Sequence, residues 1–219
     1  MSDVINILPD HVANQIAAGE VINRPSSVVK ELIDNSIDAK STLIKIIIED
    51  GGKKSIQIID NGFGMTKNDA KIAFKRHSTS KLKSTSDLFS INTKGFRGEA
   101  LCSISSISIV EIKTRQINDE FSLNFRIENN VFKDEKLDLS PKGTSITVKN
   151  LFYNVPARRK FLKSDSVELK YIIDELQRAS ISHPEIHFVF YNNTTEIFNF
   201  KPKNIKSRII DVFGKKIDE

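Results

Sequence analysis

Glu31-Leu32-Ile33-Asp34-Asn35-Ser36-Ile37-Asp38-Ala39 decides how this chain is read. Helical residues advance by about 100° each, so Glu31, Asn35 and Asp38 fall within roughly 60° of arc. Val29, Ile33 and Ile37 fall on the opposite side, with Leu32 at the border. The predicted helix buries one side and presents a carboxylate and a carboxamide from the other. An amide oxygen is a hard, neutral ligand for Mg²⁺, and a nearby Glu can take a proton from water. The same spacing also describes an amphipathic helix with a solvated face.

Outward from this helix, the pattern is that of an α/β domain. Before it, Asp10 is placed as an N-cap, Val12 and Ile16 share a helical face, and Gly19 is expected to stop that first helix. Pro25 fits the opening turn of the helix that carries Glu31. After it, Ile44, Ile46 and Ile48 alternate as in a strand, Gly51-Gly52 turns, and Ser55 to Ile59 returns as a second strand. That strand runs into Asp60-Asn61-Gly62-Phe63-Gly64-Met65, and Thr66 then opens a Thr-x-x-Asp capping box with Asp69. The loop therefore joins a strand to a helix, and its glycines permit close approach of another molecule.

Gly95-Phe96-Arg97-Gly98-Glu99-Ala100-Leu101 precedes a small-residue helix. Glycines before a helix N-terminus can cradle an anion, and they also describe an ordinary loop. Strands are expected near Ile107–Arg115, Phe121–Ile127 and Thr144–Leu151. A longer helix follows from about Ser166 to Ser180, with Leu169, Ile172, Ile173 and Leu176 as core. A hairpin around Asn192-Asn193 and a short helix from about Asn204 to Val212 complete the pattern. His77 is assigned no chemistry, and the basic cluster of Arg158, Arg159, Lys160 and Lys163 reads either as a solvated helix start or as a phosphate contact.

The chain has 219 residues, 39% hydrophobic and 28% charged, as in a globular protein with one domain or one domain plus a fragment. Thirty-three basic and 28 acidic residues leave a net charge of +5, which permits weak attraction to nucleic acid. One cysteine, Cys102, excludes an internal disulfide framework and fits a reducing compartment. With no apolar run of membrane-spanning length and no signal-like start, a cytoplasmic address is expected.

Taken in order, the acidic-Asn helix, the strand ending in Asp-x-Gly-x-Gly and the Gly-rich loop before a helix resemble the GHKL ATPases. Within that superfamily the sequence is similar to MutL-type mismatch-repair proteins. The stretches that carry this are Ala13 to Val21, Val28 to Ala39, Asp60 to Met65, Arg76 to Lys81, Gly95 to Ser106 and Asn150 to Leu162. GFRGEAL and NxPARRKFL are the specific ones.

The resemblance implies a two-layer α/β sandwich of the GHKL type, a mixed sheet with helices on one face. It implies an N-terminal arm over residues 1–20 and a nucleotide-binding subdomain over residues 21–219. Glu31 would be the general base, and Asn35 would hold Mg²⁺ against the phosphates of ATP. Asp60 would accept the adenine amino hydrogen, with Gly62, Gly64 and Met65 around the base and Thr144 joining Asp60 and an ordered water around the adenine. Thr79 and Ser80 would lie near the nucleotide, and Gly95, Phe96, Arg97 and Gly98 would form a lid over the phosphates.

The implied function is an ATP-binding, weakly hydrolysing switch that closes on ATP, orders the arm and pairs two domains. A second reading is a module that binds without hydrolysis, because the family's γ-phosphate Lys lies in a further subdomain past Glu219. Implied partners are ATP and ADP, DNA bound weakly and without sequence preference, a MutS-type mismatch-recognition protein with other repair factors, and a second copy in the full-length protein, with no membrane.

Overall fold

The computed structural model describes residues 7–79 and 98–214. Eight strands form a single sheet in the order β5-β4-β3-β6-β2-β1-β7-β8. They are β1 (Leu43–Glu49), β2 (Ser55–Asp60), β3 (Ile109–Arg115), β4 (Ser122–Glu128), β5 (Val131–Asp138), β6 (Gly143–Lys149), β7 (His187–Asn192) and β8 (Thr195–Phe200). All neighbours are antiparallel except β1 and β7, so the sheet is mixed, as expected. The helices are α1 (Asp10–Val21), α2 (Pro25–Asp38), α3 (Lys67–Ile72), α4 (Ala100–Ile107), α5 (Pro156–Phe161), α6 (Asp165–Ser182) and α7 (Ile205–Phe213). Against the sheet, α2 meets β2 and α4 meets β3 and β4; α6 lies on α2, α1 on α4, and α7 on α6.

The register explains why one face of the sheet is core. One row across the strands reads Phe190, Ile46, Ile58, Ile146, Ile112, Phe125. Another reads Ile48, Ile56, Val148, Val110, Ile127. Side chains alternate faces along a strand, so these rows point to one side and bury together. The opposite side carries Gln57 beside Ser145, and Lys149 paired with Glu111 at 2.7 Å. The third row breaks the rule: Phe200, Phe188, Ile44, then Asp60, Thr144, Thr114, then Leu123 and Leu137. Three adjacent polar residues thus stand in an otherwise apolar row, on the side of the sheet that faces helices.

Several local expectations are met. Pro25 occupies the first turn of α2, and Thr66 caps α3 by accepting from the Asp69 N–H at 3.1 Å. The Thr66 hydroxyl also donates to the Asp69 carboxylate at 2.8 Å, which differs from the usual reciprocal box. Others are corrected. Pro9, not Asp10, stands at the N-cap of α1, and the helix passes through Gly19 to Val21. The guanidinium of Arg158 lies over Gly19, where a Cβ would displace only the movable end of that side chain. Helix α2 is also buried on more of its circumference than expected, because Asp34 and Ser36 are buried along with Leu32.

One strand was absent from the sequence reading, and one short helix was read there only as one of two alternatives. Strand β5 is exposed throughout and charged, so periodicity gave no signal for it. Its cue is the Asn129-Asn130 pair, both with positive φ (52° and 60°), which turns β4 into β5 as a tight hairpin. Helix α5 is one and a half turns opened by Pro156, too short for a periodic pattern.

At the other end of the sheet, Arg208 of α7 is fully buried. Its Nη2 donates to the carbonyls of Pro184, Ile186, Phe200 and Lys201 at 2.8–3.2 Å, and its guanidinium lies 5.3 Å from the Phe200 ring. One cation thus ties α7 to the β7–β8 hairpin. Arg208→Met keeps the stem but leaves the carbonyls short of donors. A loss on the order of 3 kcal/mol in urea unfolding, with an unchanged slope, is expected.

Candidate active site

The polar row and α2 meet at a cleft of about 1230 Å³. Glu31, Asn35, Asp38, Asp60, Gly64, Met65, Thr79, Gly98 and Thr144 all line it. Ser80, Gly95, Phe96 and Arg97 lie outside the described residues. Gly62 does not line the cleft. Its N–H donates to Asp60 Oδ1 at 2.9 Å, and a Cβ there would fall 2.7 Å from both the Ala39 carbonyl and Ser41 Oγ. Gly62 therefore serves the wall from behind, by letting the loop press on the end of α2.

Asp60 ends β2 and is 9% exposed. Its Oδ1 accepts from the backbone N–H of Gly62 at 2.9 Å and of Thr144 at 3.3 Å, and its Oδ2 accepts from the Ser36 hydroxyl at 3.0 Å. Burial pushes the carboxyl above its ordinary value, against these hydrogen bonds, which favour the charged form. The Ser41 hydroxyl acts on the same carboxylate, which lines the cleft as an acceptor for a donor there.

The loop after Asp60 is held in place from both sides. Asn61 Oδ1 accepts from the N–H groups of Thr42 and Leu43 at 2.9 and 3.0 Å, which pins the start of β1 to the end of β2. Gly64 has φ +71°, and a Cβ there would overlap the Arg115 carbonyl. The Met65 N–H donates to the Thr114 hydroxyl at 2.9 Å.

Glu31 and Asn35 stand one helical turn apart on α2, about 6 Å along its axis. The Glu31 side chain is 29% exposed and lies 3.7 Å from Lys30 Nζ, which pairs more closely with Asp34 at 2.9 Å. Facing them is the start of α4, where Gly98, Glu99 and Ala100 line the cleft and no described side chain caps the helix. Gly98 has φ +64°, and a Cβ there would fall 2.6 Å from the Ser78 carbonyl. The segment ending at Thr79 thereby lies against the N-terminus of α4, whose free N–H groups suit an anion. Arg76 and Lys40 add positive charge to the same cleft. Among the described residues no cluster of three His, Cys, Asp or Glu could hold a metal. A single amide oxygen beside a carboxylate fits a Mg²⁺ that arrives with phosphate oxygens and water.

Sequence reasoning missed Ser36 and Thr114. The signal for Thr114 was available: Val110, Ile112 and Thr114 share one face of β3, and the third is polar where the register demands an apolar residue.

Fold and site together define a GHKL-type nucleotide-binding ATPase domain. The chain belongs to the Histidine kinase-, DNA gyrase B-, and HSP90-like ATPase family, which it matches over residues 23–153. The expected likeness to MutL-type proteins is borne out. The chain is similar to the DNA mismatch repair protein MutL of Flavobacterium johnsoniae, 54% identical over all 219 residues and 34% of that protein. MutL of Bacteroides fragilis is 49% identical over the same residues and 35% of its own length. The chain thus spans about a third of the length of these curated relatives. Among solved structures, the Aquifex aeolicus MutL ATPase domain complexed with ADP superposes with a TM-score of 0.75 at 29% identity, covering 88% of this chain and 70% of that one. No helix among the described residues is long and apolar enough to cross a membrane.

Proposed function

We propose that this chain is the ATP-binding, weakly hydrolysing switch module of a DNA mismatch-repair protein. The observation that carries the reading is Asp60, a buried carboxylate that lines the same cleft as Glu31, Asn35 and the start of α4. Adenine offers an exocyclic amine to Asp60 Oδ2; guanine offers a carbonyl there, leaving two acceptors face to face. The phosphates lie toward Asn35 and the N-terminus of α4. Asn35 holds Mg²⁺, which supplies positive charge against the phosphates when bound. Glu31 takes the proton of the attacking water. Gly95 to Gly98 serve as the lid over the phosphates, and Thr79 and Ser80 stand near the nucleotide.

Residues 1–20 act as an arm that ATP orders so that two such domains pair. The burial of Ala18 and the packing of α1 on α4 support docking of its last turns on this domain. In the longer protein the partners are a MutS-type protein, other repair factors and DNA, the last bound weakly, without sequence preference and with a strong salt dependence. Similarity to MutL relatives over the whole chain supports this assignment.

Calorimetric titration with a non-hydrolysable ATP analogue and Mg²⁺, beside the matching GTP analogue, tests the reading. Adenine-selective binding is the expected result. Equal affinities for the two nucleotides, or no binding by the folded chain, would overturn it.

A further inference from the structure

Two rows of side chains run side by side along α2. Glu31 and Asn35 line the nucleotide cleft. Lys30 and Asp34, each one position earlier, line a separate groove of about 340 Å³ between α2 and α6, whose other wall carries Glu175, Arg178 and Ala179. A step of one residue turns a helix by about 100°, so the two rows face different spaces from one stretch of helix. The cleft row holds the proposed base and metal ligand. The groove row is an ion pair, and neither of its members lines the cleft.

The two rows meet at one cation. Lys30 Nζ lies 2.9 Å from Asp34 Oδ2 and 3.7 Å from Glu31 Oε1. The first distance is a hydrogen-bonded ion pair, and the second is beyond hydrogen-bond reach. Exposure explains the choice. The Lys30 side chain is 52% exposed and long enough to reach either acid, whereas Asp34 is 10% exposed and Glu31 29%. The more buried acid gains more from a cation, because water and salt screen it less. Burial acts against the Lys30 charge, but the hydrogen bond and charge of Asp34, with the charges of Glu31 and Glu175, raise its pKa above the ordinary 10.5. Glu175, the third acid near this ammonium, is engaged by Arg178 Nη1 at 2.7 Å.

A general base needs a lone pair aimed at the water and a carboxylate that gains by taking a proton. An ammonium bonded directly to Glu31 would remove both. It would occupy a lone pair, draw the carboxylate toward the groove and stabilise its charged form. We infer that Asp34 is a positioning residue for turnover: it takes the Lys30 ammonium on the groove side, so that Glu31 keeps its carboxylate in the cleft for the water. Lys30 does nothing for the chemistry and harms it only when Asp34 no longer holds it. The inference rests on Glu31 as the base in the nucleotide reading above, and adds the residue that keeps that base from bonding its own neighbour.

Asp34→Asn removes the charge and keeps the volume. Its ATP affinity, from calorimetry with Mg²⁺, should stay within about twofold of the parent, while single-turnover hydrolysis slows about five- to tenfold as Lys30 bonds Glu31. Adding Lys30→Met to Asp34→Asn should return the rate to the parent's, because the misplaced cation is gone. Asp34→Glu, which restores the charge, should do the same. If Asp34→Asn fails to fold, Lys30→Met alone carries the test, and should turn over at the parent's rate or above it. Crystal structures read the same point without turnover: in Asp34→Asn, Lys30 Nζ should stand within about 3 Å of a Glu31 oxygen. Lys30 turned to solvent or to Glu175 there, a double variant no faster than the single, or a slowed Lys30→Met overturns the role of Asp34 and leaves the nucleotide reading standing. A parent chain that binds no nucleotide overturns both.

Discussion

Replacing Asp60 with Asn is expected to weaken ATP binding by about 100-fold or more while raising the melting temperature of the nucleotide-free protein. Both effects follow from the same atoms. Oδ1 accepts twice from backbone N–H groups, so the amide oxygen of Asn is drawn to that position. The amide nitrogen then replaces Oδ2, the proposed acceptor for the adenine amine. On the protein side the change is tolerated, because the Ser36 proton can turn to the Leu32 carbonyl at 3.0 Å and leave Ser36 Oγ to accept. On the ligand side a donor now meets the adenine amine. A charge-assisted hydrogen bond worth roughly 1.5–3 kcal/mol is lost, and a desolvated donor pair is left in its place.

The gain in stability comes from removing a buried charge. Burial raises the Asp60 pKa above its ordinary 3.8 in the folded state, so the ionised carboxylate disfavours folding at neutral pH. As pH falls through the raised folded value toward 3.8, the folded state takes up the proton more readily than the unfolded one. The parent therefore gains stability relative to the Asn variant across that window, and the difference in melting temperature narrows. Melting curves from neutral to acid pH, with and without nucleotide, check both parts. A variant that is less stable than the parent at pH 7, or that keeps its adenine preference, would remove Asp60 from the centre of the site.

Much of this was legible in the chain because it depends on spacing within single elements. Alternation gave β1, β2 and β6, and Pro25 with the apolar spacing gave α2. The positions of Glu31 and Asn35 on one helical face followed from 100° per residue. What stayed hidden depends on register between distant strands. Thr114 and Thr144 are 30 positions apart, and Asp60 and Thr144 are 84 apart; no local pattern reports that they are neighbours. Ser36 was hidden for a related reason, since its partner is Asp60, reached across the helix–sheet interface. The role of Gly62 shifted likewise. Its glycine character was read as access for a ligand, whereas the space it saves is taken by the end of α2. Strand β5, exposed and charged, is held by its hairpin and by Glu135, which pairs with Lys67 and Lys71 of α3, and not by apolar periodicity.

Glu31→Ala is expected to separate turnover from binding. Glu31 sits a full turn before Asn35, and the α2 residue that bonds Asp60 is Ser36, so the proposed adenine contact does not run through Glu31. Loss of a positioned general base typically lowers a rate by about 10²–10⁴-fold. The nucleotide affinity of the variant should stay within about threefold of the parent, since the group acts on water. Asn35→Ala behaves differently: it removes the proposed Mg²⁺ ligand, and both affinity and rate should fall. Lys30, 3.7 Å from Glu31 and 2.9 Å from Asp34, stays paired with Asp34 in either variant, so neither leaves a cation without an acid partner. Single-turnover hydrolysis measured beside calorimetry reads the two quantities on the same protein. A Glu31→Ala chain that hydrolyses ATP at the parent's rate would exclude Glu31 as the base. A parent chain that binds ATP selectively and turns none over would reduce the domain to a binding module, with the cleft at Asp60 intact and its chemistry completed elsewhere.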